Sequence, residues 1–122
     1  MAEEASAAAK HGPVLVVGLG LMGSALAKAL IGAGYDTLVW NRTIAKAAPL
    51  VELGARVPEN LGAGVAEAGT VVICVTNYGH STEMFGGFAD FSGKTIIQLG
   101  TSTGDEAAAF ETVVRGKGGL YL

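Results

Sequence analysis

Apolar residues recur along this chain in two alternating rhythms. Short runs, Val14-Leu15-Val16-Val17, Thr37-Leu38-Val39-Trp40, Val71-Val72-Ile73-Cys74-Val75 and Thr95-Ile96-Ile97, are rich in β-branched residues and free of charge. A strand with one face in water alternates apolar and polar residues. A run without that alternation suits a strand covered on both faces, as in a parallel sheet. Between the runs, apolar residues return every three or four positions, the period of a helix. The pattern predicts strands over 13–17, 36–40, 70–76 and 95–99, a short one at 55–57 and a last one beginning at 120. It predicts helices over 21–31, 44–53, 60–68, 81–88 and 104–115. In the first helix Leu21, Met22, Ala25, Leu26, Ala29 and Leu30 fall at helical spacing, and Gly32-Ala33-Gly34 is a suitable stop. Pro49 fits the second helix only if that helix kinks or starts afresh there, because proline lacks an N–H and clashes with the preceding turn.

Strands alternating with helices predict an α/β fold: a Rossmann doubly wound parallel sheet with strand order 3-2-1-4-5-6. Ligands of such sheets lie across the carboxyl ends of strands one and four, where the strand order reverses. The loops over 18–23, 41–43, 76–78 and 99–103 would then share one crevice.

The first loop, Gly18-Leu19-Gly20-Leu21-Met22-Gly23, is a G-x-G-x-x-G turn between a strand and a helix. Gly18 makes the tight turn, Gly20 lets a pyrophosphate approach the backbone, and Gly23 lets the helix pack closely on the sheet. The helix then points its free N–H groups at the phosphates. The second loop, Trp40-Asn41-Arg42-Thr43, comes after the next strand about 20 residues on, where an NAD-binding chain carries an acid for the ribose 2′-OH. Here the position holds neutral Asn41. Arg42 is next and can neutralise a 2′-phosphate. Thr43 adds a hydroxyl and is a candidate helix cap, and Lys46 lies about one turn further on. The combination predicts NADP(H) over NAD(H). The competing reading is that Arg42 and Lys46 are ordinary solvated charges. Val75, Thr76, Asn77 and Tyr78 are expected to flank the middle of the cofactor, and Gly100 and Thr101 to sit near the nicotinamide ribose.

Composition narrows the remaining classes. The chain has 122 residues, 50% hydrophobic and 16% charged, enough for one globular domain over 13–122. Residues 1–12 read as a flexible tail; they lack the basic and apolar regions of a signal peptide. A net charge of −3 gives no electrostatic footprint for nucleic acid. No apolar stretch is long enough for a membrane helix. The single cysteine, Cys74, excludes an internal disulfide and a metal cluster, and it reads as a small buried hydrophobe in a central strand. Lack of disulfides fits a reducing, cytoplasmic compartment.

The quoted segments, with Ala45-Lys46-Ala47-Ala48-Pro49-Leu50-Val51 and Val72-Ile73-Cys74-Val75-Thr76-Asn77-Tyr78, closely resemble the N-terminal half of imine reductases. Those belong to the wider β-hydroxyacid dehydrogenase group, which includes 6-phosphogluconate dehydrogenase-like proteins. The likeness runs from about residue 13 to the end. It implies NADPH as hydride donor, with Arg42, Thr43 and Lys46 holding the 2′-phosphate and a small imine or carbonyl compound as substrate. It also implies a second, helical domain that is absent from this chain, most of the substrate pocket in that domain, and a homodimer for the complete protein. One segment departs from the family. Gln98-Leu99-Gly100-Thr101-Ser102-Thr103-Gly104 stands where imine reductases read like Asn-Leu-Thr-Ser-Gly-Thr-Pro, so the hydroxyls are shifted by one place.

Candidates for proton transfer within the chain are few. His80 comes after strand four but reads as a surface residue. Tyr78 is better placed and reads first as a packing group. Ser102 has no base partner. The catalytic residues are therefore unknown, and the 122 residues alone are expected to be inactive. A non-catalytic NADP-binding sensory or regulatory module remains the alternative function.

Overall fold

The structure is a computed structural model that describes residues 12–74, 91–99 and 104–122. Strand β1 (Val14–Val17) leads through the glycine turn into helix α1 (Leu21–Gly32). Strand β2 (Thr37–Trp40) is followed by a 3₁₀ turn (Ile44–Ala47) and helix α2 (Ala48–Glu52). Helix α3 (Leu61–Glu67) precedes strand β3 (Thr70–Ile73). Strand β4 (Thr95–Gln98), helix α4 (Gly104–Gly116) and strand β5 (Leu120–Tyr121) complete the described fold. The tail over 1–11, the expected helix over 81–88 and the cap at Thr103 lie outside the described residues.

The five strands form one sheet in the order β2-β1-β3-β4-β5, and every pair is parallel. The expected strand at 55–57 shrinks to a single parallel bridge between Leu38 and Arg56. Its hydrogen bonds, Arg56 N–H to the Thr37 carbonyl and Val39 N–H to the Arg56 carbonyl, are both 2.9 Å long. Pro58 stands two residues later and has no N–H to extend the ladder. With that bridge counted as strand three, the order is the predicted Rossmann one.

Alternation on the sheet explains the unbroken apolar runs. Leu15, Val17, Leu38, Val71, Ile73 and Ile96 share one face with Val65 of α3 and with Phe110 and Val114 of α4. Val16 and Val39 face the other way, against Ala27 of α1 and Leu50 of α2. Fully burying one such side chain contributes about 1.5–3 kcal/mol, so both layers hold the sheet. Beside α1, the second face leaves an apolar groove of about 380 Å³ that Leu26, Leu30, Val72 and Ile97 help to line.

Two local expectations change. The fully buried residues of α1 are Gly23 and Ala27, with Leu30 and Ile31 packed against the same core, while Leu21 is 96% exposed and Met22 54%. Apolar residues surround this helix, so periodicity alone could not choose a face. Close approach chose it, because the smallest side chains let the helix lie on the strands. Thr43 precedes the 3₁₀ turn but its side chain caps nothing. Pro49 stands in the first turn of α2, so the segment does start afresh there. Asn60 caps α3, accepting from the Ala63 N–H at 2.8 Å.

Arg56 fastens the edge of the sheet. It donates to Asp36 Oδ1 at 3.0 Å and Oδ2 at 2.8 Å, and also to Glu67 of α3. Hydrogen bonds to the two carboxylates hold its guanidinium protonated even more firmly than usual. All three side chains are more than two-fifths exposed, so water and salt screen the cluster and it adds little stability. Among the described residues no helix is long and apolar enough to cross a membrane.

Candidate functional site

The flush register of β1, β2 and β3 ends those strands level, at Val17, Trp40 and Ile73. The loops that leave them therefore start side by side. Gly18 has φ +95°, a conformation side chains resist, and its N–H donates to the Trp40 carbonyl at 2.9 Å. Leu19 turns inward and is 4% exposed. Gly20 is the N-cap of α1, and no side chain caps the helix. A Cβ on Gly20 would meet nothing within 4 Å, so this backbone faces open space. A Cβ on Gly23 would lie 1.8 Å from the Gly18 carbonyl oxygen. The helix therefore enters as close to the turn as a glycine allows. Ser24 Oγ donates to the Leu19 carbonyl at 3.1 Å and closes the turn from the helix side.

Asn41 has a job that the sequence did not reveal. Its Oδ1 accepts from the Leu19 N–H at 2.9 Å, and its Nδ2 donates to the Thr43 carbonyl at 3.0 Å. It ties the glycine turn to the loop after β2. The two partners are 22 residues apart, and only the sheet makes them neighbours. No local pattern announces such a bond.

Arg42, Thr43 and Lys46 come next on this loop, all exposed. The Lys46 N–H donates to the Thr43 carbonyl at 3.1 Å, which folds the lysine back beside the threonine. An open groove of about 640 Å³ separates the 3₁₀ turn from α1. Leu19, Gly20, Leu21 and Ser24 line one side, and Lys46 and Pro49 line the other. The structure thus brings Leu19, Gly20 and Leu21 together with Lys46. Arg42 and Thr43 lie on the same loop but do not line the groove, Met22 is exposed beside it, and Gly23 is buried under the turn. Ser24 and Lys28 also line it, and neither stood out in the sequence, although both fall at helical spacing from Leu21.

Charge is distributed unevenly. Arg56 and Arg115 are paired with carboxylates. Among the described residues, Arg42 and Lys46 have no such partner, and no acid lines the groove. An open backbone above an uncapped helix start, beside unpaired cations, suits an anionic phosphate group.

Val75, Thr76, Asn77, Tyr78, Gly100 and Thr101 lie outside the described residues, as does His80. The strand ends that carry their loops are described. The Cys74 N–H donates to the Val17 carbonyl at 2.7 Å, and the Leu99 N–H to the Ile73 carbonyl at 2.8 Å. Among the described residues no three His, Cys, Asp or Glu side chains stand together as metal ligands.

The comparisons with known proteins agree with this geometry. Residues 13–122 match the family model described as the NAD binding domain of 6-phosphogluconate dehydrogenase. The chain belongs to that family. An NADPH-dependent reductive aminase from Aspergillus oryzae is 36% identical over 108 residues, which is 88% of this chain and 37% of the aminase. The structure of an imine reductase from Pseudomonas sp. superposes with a TM-score of 0.86 at 33% identity, covering 90% of this chain and 39% of that one. A reductive aminase from Aspergillus terreus, solved with NADPH and ethyl-5-oxohexanoate, gives 0.85 at 32% identity, with coverage of 90% and 39%. This chain therefore spans less than two-fifths of the length of these relatives.

In this NAD-binding domain Cys74 departs from its expected place. It lies just beyond β3 and is half-buried, not enclosed in a central strand. Burial still pushes its thiol above the ordinary thiol range, because the thiolate would lose water. Alkylation by iodoacetamide is expected to show a pH profile with its inflection above the usual value of about 8.5. It should run slower than in the urea-unfolded chain near neutral pH. An inflection below the usual value would show that the site stabilises the anion instead.

Proposed function

We propose that this chain is the NADPH-binding domain of an imine reductase-like oxidoreductase. The complete enzyme transfers hydride to a small C=N or C=O compound. The observation that carries the reading is the pairing of an open glycine turn with Arg42 and Lys46, which have no ion-pair partner among the described residues, at a strand end where Asn41 stands in place of an acid. The relatives support it, since one is named as NADPH-dependent and another was solved with NADPH.

Each residue then has a physical task. Gly18 and Gly20 let the pyrophosphate reach the backbone, and the first N–H groups of α1 receive it. Asn41 holds the Leu19 N–H and so fixes the shape of the turn. Arg42, Thr43 and Lys46 hold the 2′-phosphate. A charge-assisted contact of this kind contributes about 1.5–3 kcal/mol, or roughly one to two decades of preference. Leu21 lines the groove and Met22 follows it in the first turn of α1, and both are open to a bound cofactor. Val75, Thr76, Asn77 and Tyr78 border the middle of the cofactor, and Gly100 and Thr101 its nicotinamide ribose. The nicotinamide supplies the hydride, and the protein orients it and excludes water. The imine or carbonyl substrate, the homodimer and the cytoplasmic setting belong to the complete protein and are part of the same proposal.

Titrating the chain with NADPH and NADH in parallel, at one salt concentration, tests the reading. NADPH is expected to bind at least about tenfold tighter. Equal affinities would return Arg42 and Lys46 to the status of solvated charges. Binding of neither would overturn the crevice itself.

A further inference from the structure

We infer that Lys28 is a third cation of the 2′-phosphate site and helps set the preference for a phosphorylated over a free adenosine ribose. The inference rests on the cofactor reading above. Leu21, Ser24, Ala25 and Lys28 stand at i, i+3, i+4 and i+7 of α1, so they form one stripe, and all of them line the groove. The stripe buried on the sheet is a different one, through Gly23 and Ala27. Ser24 and Ala25 are small and keep the groove open. Lys28 borders it one turn further along. Its Cα–Cβ bond tilts toward the start of the helix, which directs the side chain toward the turn that carries Gly20.

Acids outnumber bases in the chain, 11 to 8, so a carboxylate partner is easy to find. Arg56 takes two carboxylates, Arg115 takes one, and Lys94 donates to the carbonyls of Ala66 and Ala68. Lys28, Lys46 and Arg42 have no side-chain partner among the described residues. Lys28 and Lys46 border the same groove, and none of its lining residues is acidic. Such an arrangement repels itself until an anion enters, and a dianionic phosphate monoester gains from every cation present. Lys28 is exposed and makes no side-chain hydrogen bond among the described residues, so its role lies in binding and not in the fold.

The test uses the whole 122-residue chain with Lys28→Gln, Lys28→Arg and Arg42→Gln beside the unchanged protein. NADPH, NADH, 2′,5′-ADP and 5′-AMP are titrated by NMR at two salt concentrations. Lys28→Gln is expected to weaken NADPH and 2′,5′-ADP about threefold to tenfold, with NADH and 5′-AMP changed less than about twofold. The NADPH salt dependence should become shallower, the melting temperature should stay the same, and Lys28→Arg should retain most of the affinity. Equal losses for all four ligands, or none, would overturn the assignment of Lys28. If Arg42→Gln abolishes the preference while Lys28→Gln keeps it in full, the cofactor reading stands and only Lys28 falls. Absence of any NADPH preference, or of saturable binding, in the unchanged protein overturns both.

Discussion

Arg42→Gln is expected to weaken NADPH binding by about tenfold to a hundredfold while leaving NADH within about twofold, because the proposed charge-assisted contact to the 2′-phosphate would be lost. The geometry makes this a clean substitution. Arg42 is exposed, lies between strand β2 and the 3₁₀ turn, and has no ion-pair partner among the described residues, so its removal leaves the fold alone. Asn41 beside it must be left intact. Its amide holds both the Leu19 N–H and the Thr43 carbonyl, so changing it would disturb the binding of either cofactor. Calorimetric titration at fixed salt measures the NADPH-to-NADH ratio directly. A ratio unchanged by Arg42→Gln would remove the phosphate contact from this residue, whatever the absolute affinities.

The second large effect concerns the fold. Gly23→Ala is expected to cost about 1–3 kcal/mol or more, although alanine is the better helix former by about 1 kcal/mol. The added Cβ would stand 1.8 Å from the Gly18 carbonyl oxygen and 2.9 Å from its carbon, both backbone atoms, with Cys74 Cβ at 3.3 Å. No rotamer change can relieve that contact. The start of α1 must move off the end of β1, which loosens the turn as well as the core. Two other glycines isolate the cause. A Cβ at Gly32 meets nothing within 4 Å, so Gly32→Ala should hold or raise stability. Gly20 also has free space and an extended backbone, so Gly20→Ala should leave stability unchanged yet weaken both NADPH and NADH by blocking the pyrophosphate. Urea midpoints with the slope held constant give the stabilities. A Gly23→Ala protein as stable as the parent would contradict the close approach of helix and turn.

The division between sequence and structure is clear in particular elements. The order of strands and helices was legible because a doubly covered strand and an amphipathic helix impose different periods on the chain. The glycine turn was legible because each glycine answers a local demand: a positive φ at Gly18, open space at Gly20, close contact at Gly23. Pro49 was legible as a fresh helix start for the same local reason. The buried face of α1 was not, since Leu21 and Met22 looked as apolar as Ala27, and only docking against the sheet told them apart. The segment 55–57 carried a strand-like pattern but kept one bridge, because Pro58 has no N–H with which to extend the ladder.

The sequence by itself determined the Rossmann class, the glycine turn between the first strand and the first helix, and the presence of Arg42 and Lys46 without a neighbouring acid in the chain. These depend on residue types and spacings within one or two elements. Only the tertiary structure decided that Asn41 clamps the Leu19 N–H across 22 residues, that Arg56 joins Asp36 to Glu67, and that Lys28 borders the same groove as Lys46. Those contacts join positions that the chain alone does not relate. They exist because sheet register and helix docking, set by burial over the whole domain, bring distant residues into reach of one another.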